Sequence, residues 1–270
     1  MRKILFIAVL FLFIGLKAEA QVAGISASKL NTYNAYTISL HHLEVEPSFS
    51  WMSSRSAFDE RGNRYFYSAN KDSLIYSKEL FLRGTYSPFK NFEIGTVITS
   101  DLSSVSFGIK YLFFDNKKLA ASFIAGGNWS GQYEAKNTGN TLPGPDTRVA
   151  DYVGGFAITS QFTERLSWDS DIQFQNSIAG GQSFLTDYFV DSELGYYVFN
   201  HQLQLVGGFG FHYKSFKTTG SNAYSLIFNP GVTIETGKSY IIVLYAPVTL
   251  AGKNMAIYNG INLAFTLDIE

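Results

Sequence analysis

Cysteine is absent from this chain of 270 residues. That excludes disulfides, thiolate metal sites and a lipid-bearing cysteine behind the amino-terminal apolar run. Histidine is limited to His41, His42, His201 and His212, and no two of them have metal-ligand spacing within a strand. Charged residues make up only 16% of the sequence. Beyond the amino terminus no apolar run approaches the roughly 20 residues that a helix needs to cross a bilayer. A membrane chain of this kind must therefore cross with strands, and only a closed barrel satisfies the backbone in lipid. There is no G-x-S-x-G motif, and no histidine shares an evident pattern with a nucleophile and a carboxylate, so a catalytic triad has no basis.

What is present starts with a leader. Arg2 and Lys3 precede an apolar run over residues 4–16, followed by Lys17 and then Ala18, Glu19 and Ala20. Those are the three parts of a secretory signal peptide, with cleavage expected after Ala20. Removing residues 1–20 leaves 18 basic and 21 acidic residues, a balance that offers nothing to nucleic acid. The full chain is aromatic-rich, with 24 Phe and 17 Tyr, and carries 24 Gly. Barrel girdles and tight turns use that mixture.

Alternation indicates strands; a soluble sandwich alternates as well, so the connections have to decide between a barrel in lipid and a core in water. Leu166, Trp168, Ile172 and Phe174 share one parity, while Arg165, Ser167, Asp169, Asp171, Gln173 and Gln175 share the other. A period of two belongs to a strand with one apolar and one wet face. The same holds for Leu43, Val45, Phe49 and Trp51, for Val105, Phe107, Ile109 and Tyr111, for Leu203, Leu205, Phe209 and Phe211, and for Ile261, Leu263, Phe265 and Leu267. Strands are expected near 42–56, 78–88, 91–100, 104–114, 118–131, 150–160, 165–177, 185–199, 202–215, 222–235, 239–250 and 256–269, about 12 in all, an even number as in bacterial barrels. Short polar links at 88–91, 115–117, 161–164, 200–201 and 236–238 alternate with connections such as 57–77 and 132–148. That is the pattern of periplasmic turns and outer loops, with both termini in the periplasm. The expected architecture is an all-β, antiparallel transmembrane barrel over 42–270, preceded by a segment over 21–41 that is either a plug in the barrel mouth or a periplasmic tail.

Pro47, Pro230 and Pro247 fall inside expected strands and each removes a ladder donor, which implies bulges, kinks or a local break. Pro230 and Pro247 lie on neighbouring strands, so a shared lateral gap is conceivable there, beside the blander reading of strand-end irregularity.

Asn91, Phe92, Glu93, Ile94 and Gly95, then Val105 to Tyr111 with Asp115 and Asn116, then Gly126, Gly127 and Asn128, resemble outer-membrane barrels of the phenol meta-cleavage-pathway (MetA-like) transporter type. Asn229, Pro230, Gly231 and Val232, and later Gly260, Ile261, Asn262 and Leu263, resemble the closing strands of that group. The resemblance implies a small barrel that passes hydrophobic, often aromatic, molecules and is distantly related to fatty-acid channels. One departure is the end, Asp268, Ile269 and Glu270, where many barrels carry a terminal aromatic residue for the assembly machinery; Phe265 is the available substitute.

The lumen candidates are Glu79, Arg83, Lys110, Asp169, Asp171, Asp191, Glu193, His212 and Lys214. If the hairpin after residue 179 closes tightly, Asp169, Asp171, Asp191 and Glu193 become neighbours. They then form either a cation-attracting constriction or a solvated wall neutralised by Arg83, Lys110, Arg165 or Lys214. Phe81, Ile124, Phe189, Tyr197, Phe199 and Ile227 are expected to add apolar surface inside. The expected function is passive passage of small hydrophobic solutes through a monomeric barrel in outer-membrane lipid, with no cofactor and no catalysis. A closed structural or loop-binding barrel is the alternative, and a lipid-modifying enzyme a minor one.

Overall fold

In a computed structural model, the structure describes residues 22, 24–26, 29–67, 74–130, 149–179, 181–199, 202–235 and 240–270. The expected leader over 1–20, the whole of the long connection at 132–148, His201 and the turns at 200–201 and 236–238 lie outside the described residues.

Among the described residues fourteen strands form one sheet. They are β1 (Leu43–Phe58), β2 (Arg64–Phe66), β3 (Ile75–Phe89), β4 (Phe92–Thr99), β5 (Ser104–Asp115), β6 (Leu119–Ser130) and β7 (Val149–Gln161). The sheet continues with β8 (Leu166–Ala179), β9 (Gln182–Val198), β10 (Leu203–Phe216), β11 (Ser221–Glu235), β12 (Tyr240–Tyr245), β13 (Val248–Lys253) and β14 (Ala256–Ile269). β2 is a stub on β1, and β12 and β13 are two halves of one wall strand, so the wall has 12 strands. Each pairs antiparallel with its chain neighbour, and β1 pairs with β14 from Leu43↔Ile269 to Ala57↔Ala256, which closes the barrel. Among the described residues the 12-strand wall closes on itself, and the free edge is that of the short stub β2.

Burial is inverted relative to a water-soluble protein. Glu93, Lys110 and Asp169 are fully buried on the inner face, whereas Leu82, Phe156 and Ile172 are 50%, 55% and 58% exposed on the outer one. In water an apolar belt of that extent would be an association surface; around a barrel it is the lipid face. Aromatic pairs tie neighbouring strands across this belt, among them Phe107 stacked on Trp129 at 4.9 Å and Phe209 against Phe228 at 5.2 Å.

The prolines behave differently from one another. Pro47 keeps register opposite Leu82, and the β1–β14 ladder resumes unshifted beyond it at Ser48↔Ala264. Pro230 likewise stays in register opposite Gly207. Neither makes the bulge or kink that a missing donor suggested, because each neighbouring ladder simply skips the lost bond. Only Pro247 interrupts a strand, between β12 and β13. Even there β11 holds both halves, through Gly231↔Tyr245 below and Phe228↔Val248 above, and the Ala246 N–H donates to the Pro230 carbonyl at 3.0 Å. The β11–β12 boundary is therefore closed. The thin seam lies on the other side, where β13 keeps one ladder pair with β14, Val248↔Asn259.

Candidate functional site

The inner face is occupied by the amino-terminal segment, whose described residues between 22 and 41 precede β1 and run against the wall of the lumen. The segment has no ladder of its own, so its backbone donors need other acceptors. Lumen side chains supply them. Glu193 accepts from the Leu30 N–H at 3.1 Å, the Asn31 N–H at 2.9 Å and the Thr32 hydroxyl at 2.8 Å. Asp171 accepts from the Tyr33 N–H at 3.0 Å, Thr159 Oγ1 from the Ala35 N–H at 2.8 Å, and Gln173 Oε1 from the Val22 N–H at 2.8 Å. Donors on the wall serve the segment's carbonyls, with the Arg83 guanidinium on Ile25 O at 2.6 Å and the Thr85 hydroxyl on Gly24 O at 2.6 Å.

Glu93 and Lys110 form a clasp on this plug. Glu93 accepts from the N–H groups of Ser26 at 2.7 Å and Ile38 at 3.0 Å, two points far apart along the segment, so the plug doubles back over it. The Lys110 ammonium lies 3.1 Å from Glu93 and donates to Ser26 O, Ser26 Oγ, Asn34 Oδ1 and Tyr36 O. Charge-assisted bonds of this kind are about twice as strong as neutral ones. Apolar contacts complete the seat, Val22, Ile25 and Tyr33 packing on Ile124 and Ala157, and Ala35 on Leu112 and Ala120.

The four acids do come together. Register places Asp169 opposite Glu193 and Asp171 opposite Asp191 on β8 and β9. Their partners differ from the expected ones, however. Neither a bare constriction nor neutralisation by Arg83, Lys110, Arg165 or Lys214 describes them: the cation among them is Lys29 of the plug, which pairs with Asp169. Arg165 is exposed at the turn before β8, Arg83 pairs with Glu46 at 2.7 Å and Glu44 at 3.3 Å, and Lys214 lies 3.7 Å from Asp187. The counter-charge was misassigned because it comes from outside the strands, where a period of two says nothing. His212 faces inward, edge-on to Phe189 and 3.6 Å from Asp191. Glu79 shares the inner parity of β3 and accepts from the Ser77 hydroxyl at 2.7 Å. Phe199 is not in the lumen; it stands 78% exposed with φ 47° in the turn after β9, where the chain reverses.

Reading the strands alone misses Lys29, Glu93, Thr159 and Gln173 as plug contacts. The available signal was parity, which puts Glu93 on the inner face, together with the Ser, Asn and Thr content of the segment.

Beside the plug, against Lys29 and Leu30, a cavity of about 160 Å³ remains. Its wall comes from β1, β3, β12 and β14, including Ser48, Phe81, Ile241, Val243, Tyr245 and Ala264. Leu30 bounds it from the plug, and Arg83, Glu44 and Glu46 from one end. Apolar and polar groups are thus mixed along one narrow space.

No protein-family model matches the chain, and no curated protein sequence does either. Solved structures do. The chain is similar to a COG4313 outer membrane channel from Pseudomonas putida F1, at 13% identity and TM-score 0.66 over 89% of this chain and 100% of that one. Weaker likenesses include a KdgM porin in complex with disordered oligogalacturonate, at 10% identity and TM-score 0.48 over 84% of this chain and 99% of that one. A TodX mutant described as a monoaromatic hydrocarbon channel has 8% identity and TM-score 0.44, over 87% and 92% of the two chains. At those lower scores the last two add nothing to the assignment. The first agrees with the inverted burial and the closed wall: this chain has the fold of an outer-membrane channel barrel.

Proposed function

We propose that the protein is a passive outer-membrane channel for small, largely apolar solutes, exported by its amino-terminal leader and inserted as a single barrel. The observation that carries this reading is the cavity beside the plug. About 150 Å³ of apolar cavity suffices for one benzene ring, and the space here measures about 160 Å³. Its apolar side, Phe81, Ile241, Val243 and Leu30, suits a hydrocarbon, and its polar end suits a hydroxyl or similar group. The channel function named for the similar Pseudomonas barrel supports the same reading. Liposomes bearing the protein should take up benzyl alcohol faster than empty ones, and Ala264→Trp, which puts bulk into the cavity, should slow that uptake. Uptake equal to that of empty liposomes would remove the channel reading and leave a structural barrel.

The break at Pro247, across the closed boundary from Pro230 on β11, is proposed to mark where a solute leaves sideways, through its β14 side. Tyr245 lines the cavity and stands two residues before Pro247, next to the weakly paired β13–β14 seam. The seam is bounded on the extracellular side, where Phe58 N–H donates to Met255 O at 2.8 Å and the Phe58 ring covers Gly252. A disulfide engineered across the seam, in a chain that has no cysteine of its own, should slow uptake of apolar solutes more than of sugars. Equal slowing of both would argue for an axial path.

A further inference from the structure

The plug bonds to one stretch of the inner face, through Asp171, Gln173 and Glu193 on β8 and β9, and a second constellation lies further along the same strands and their neighbours. Registers place Gln175, Asp187 and Lys214 in one row across β8, β9 and β10. Phe189, His212 and Ser225 form the next row across β9, β10 and β11. Gln175 and Asp187 are fully buried and Ser225 is 2% exposed. Yet Gln175 Oε1, both carboxylate oxygens of Asp187, His212 Nε2 and Ser225 Oγ have no hydrogen-bond partner. The Lys214 ammonium stops 3.7 Å from Asp187. Buried polar atoms are nearly always satisfied, and along the plug Glu93, Asp171, Gln173 and Glu193 find their partners in its backbone. Five unmet atoms converging from four adjacent strands are therefore a site made for something other than the plug.

The chemistry of the guest follows from the unmet atoms. Three of them, on Asp187 and Gln175, accept only, while His212 and Ser225 can act either way. The site holds two carboxylates, Asp187 at 3.7 Å from Lys214 and Asp191 at 3.6 Å from His212, against one permanent ammonium, so it favours a cation. The Phe189 ring offers an apolar wall that also tolerates positive charge. Toward the extracellular end, Leu185 and Phe216 belong to an apolar collar with Met255, which an organic group can cross. Lys214 and His212 are long or partly exposed side chains, with side-chain exposures of 12% and 19%, and can turn aside to admit it.

The geometry points to a binding subsite for small organic ammonium ions on the extracellular side of the plug, with Asp187 as the anion, Gln175 and Ser225 as hydrogen-bond partners and Phe189 as the apolar wall. It rests on the channel reading, which it narrows to solutes that join an apolar body to an amine.

Calorimetry on the detergent-solubilised full-length protein, with phenethylammonium and benzyl alcohol as probes, tests it. Phenethylammonium should bind more tightly than benzyl alcohol. D187N should weaken its binding by about tenfold or more, the usual loss when a charged hydrogen-bond partner is removed. S225A should weaken it less, and heat-modifiable migration checks that each variant is folded. Absence of phenethylammonium binding to the wild type, or binding that a folded D187N leaves unchanged, overturns the subsite. Benzyl alcohol uptake by liposomes reports separately on the channel. Uptake without amine binding removes the subsite and keeps the channel, whereas amine binding without uptake of either probe keeps the subsite and removes the channel.

Discussion

Gly95 and Gly24 meet where the plug crosses β4, and neither tolerates a side chain. A Cβ on Gly95 would fall on the Gly24 carbonyl, and Gly24 itself has φ +86°, a left-handed conformation that favours glycine. Gly95→Val is therefore expected to lift the plug, with a small shift of β3 where the new Cβ meets the Gly84 carbonyl. The variant should show faster solute uptake in liposomes; unchanged uptake with an undisturbed barrel would mean that the plug does not limit passage. Lys29 gives a second test. Lys29→Ala leaves Asp169 buried with hydroxyl support from Thr159 at 2.5 Å but without its cation, and breaking a buried pair from one side costs about 3–5 kcal/mol. Lys29→Ala should lower the denaturant midpoint, and adding Asp169→Asn should restore part of it. Additive losses in the double variant would show that the pair is not coupled. At the outer rim, Asp101 is held down to about 2 by the Ser103 N–H and hydroxyl. A depressed carboxyl stabilises above its unfolded value of roughly 3.9, so the 100–103 turn should keep its slow amide exchange at neutral pH. It should lose that protection as the pH falls toward about 2.

The plug and the wall are elements of different kinds. Wall strands hold one another by register, whereas the plug is held mainly by lumen side chains, so the wall is expected to survive without it. Deleting residues 22–38 should leave a heat-modifiable barrel with a larger conductance. A deletion variant that no longer folds would show that the clasp of Glu93 and Lys110 is needed for closure. The strands themselves were readable in the sequence, because Phe, Leu and Tyr alternate with Ser, Gln and Asp wherever lipid faces water across one sheet. The tight pairing of β8 with β9, and with it the meeting of Asp169 and Glu193, followed from a short hairpin and parity. The partners of those acids did not follow, since the Leu30 to Tyr33 backbone reaches them from about 140 to 160 residues away along the chain. Pro247 was legible as a break, but the side on which the wall thins was not. That depends on which neighbour keeps its register.

For the whole molecule, charge sits on the inside. Among the described residues the buried charged groups are seven acids, Glu93, Asp151, Asp169, Asp171, Asp187, Asp191 and Glu193, against three bases, Lys29, Arg83 and Lys110. A pore lined in this way should prefer cations, and the preference should shrink as salt shortens the screening length from about 10 Å at 0.1 M to about 3 Å at 1 M. Reversal potentials in a planar bilayer measure this, and anion preference at low salt would contradict the lumen described here. The leader, the two-residue period and the alternation of short turns with longer loops together pointed to a barrel in the sequence, because a chain that crosses lipid without a spanning helix has one way to satisfy its backbone. Only the tertiary structure decided what fills that barrel. A plug without periodicity leaves no pattern in the sequence, and its place is set by hydrogen bonds and one ion pair that form when distant segments of the chain close around it.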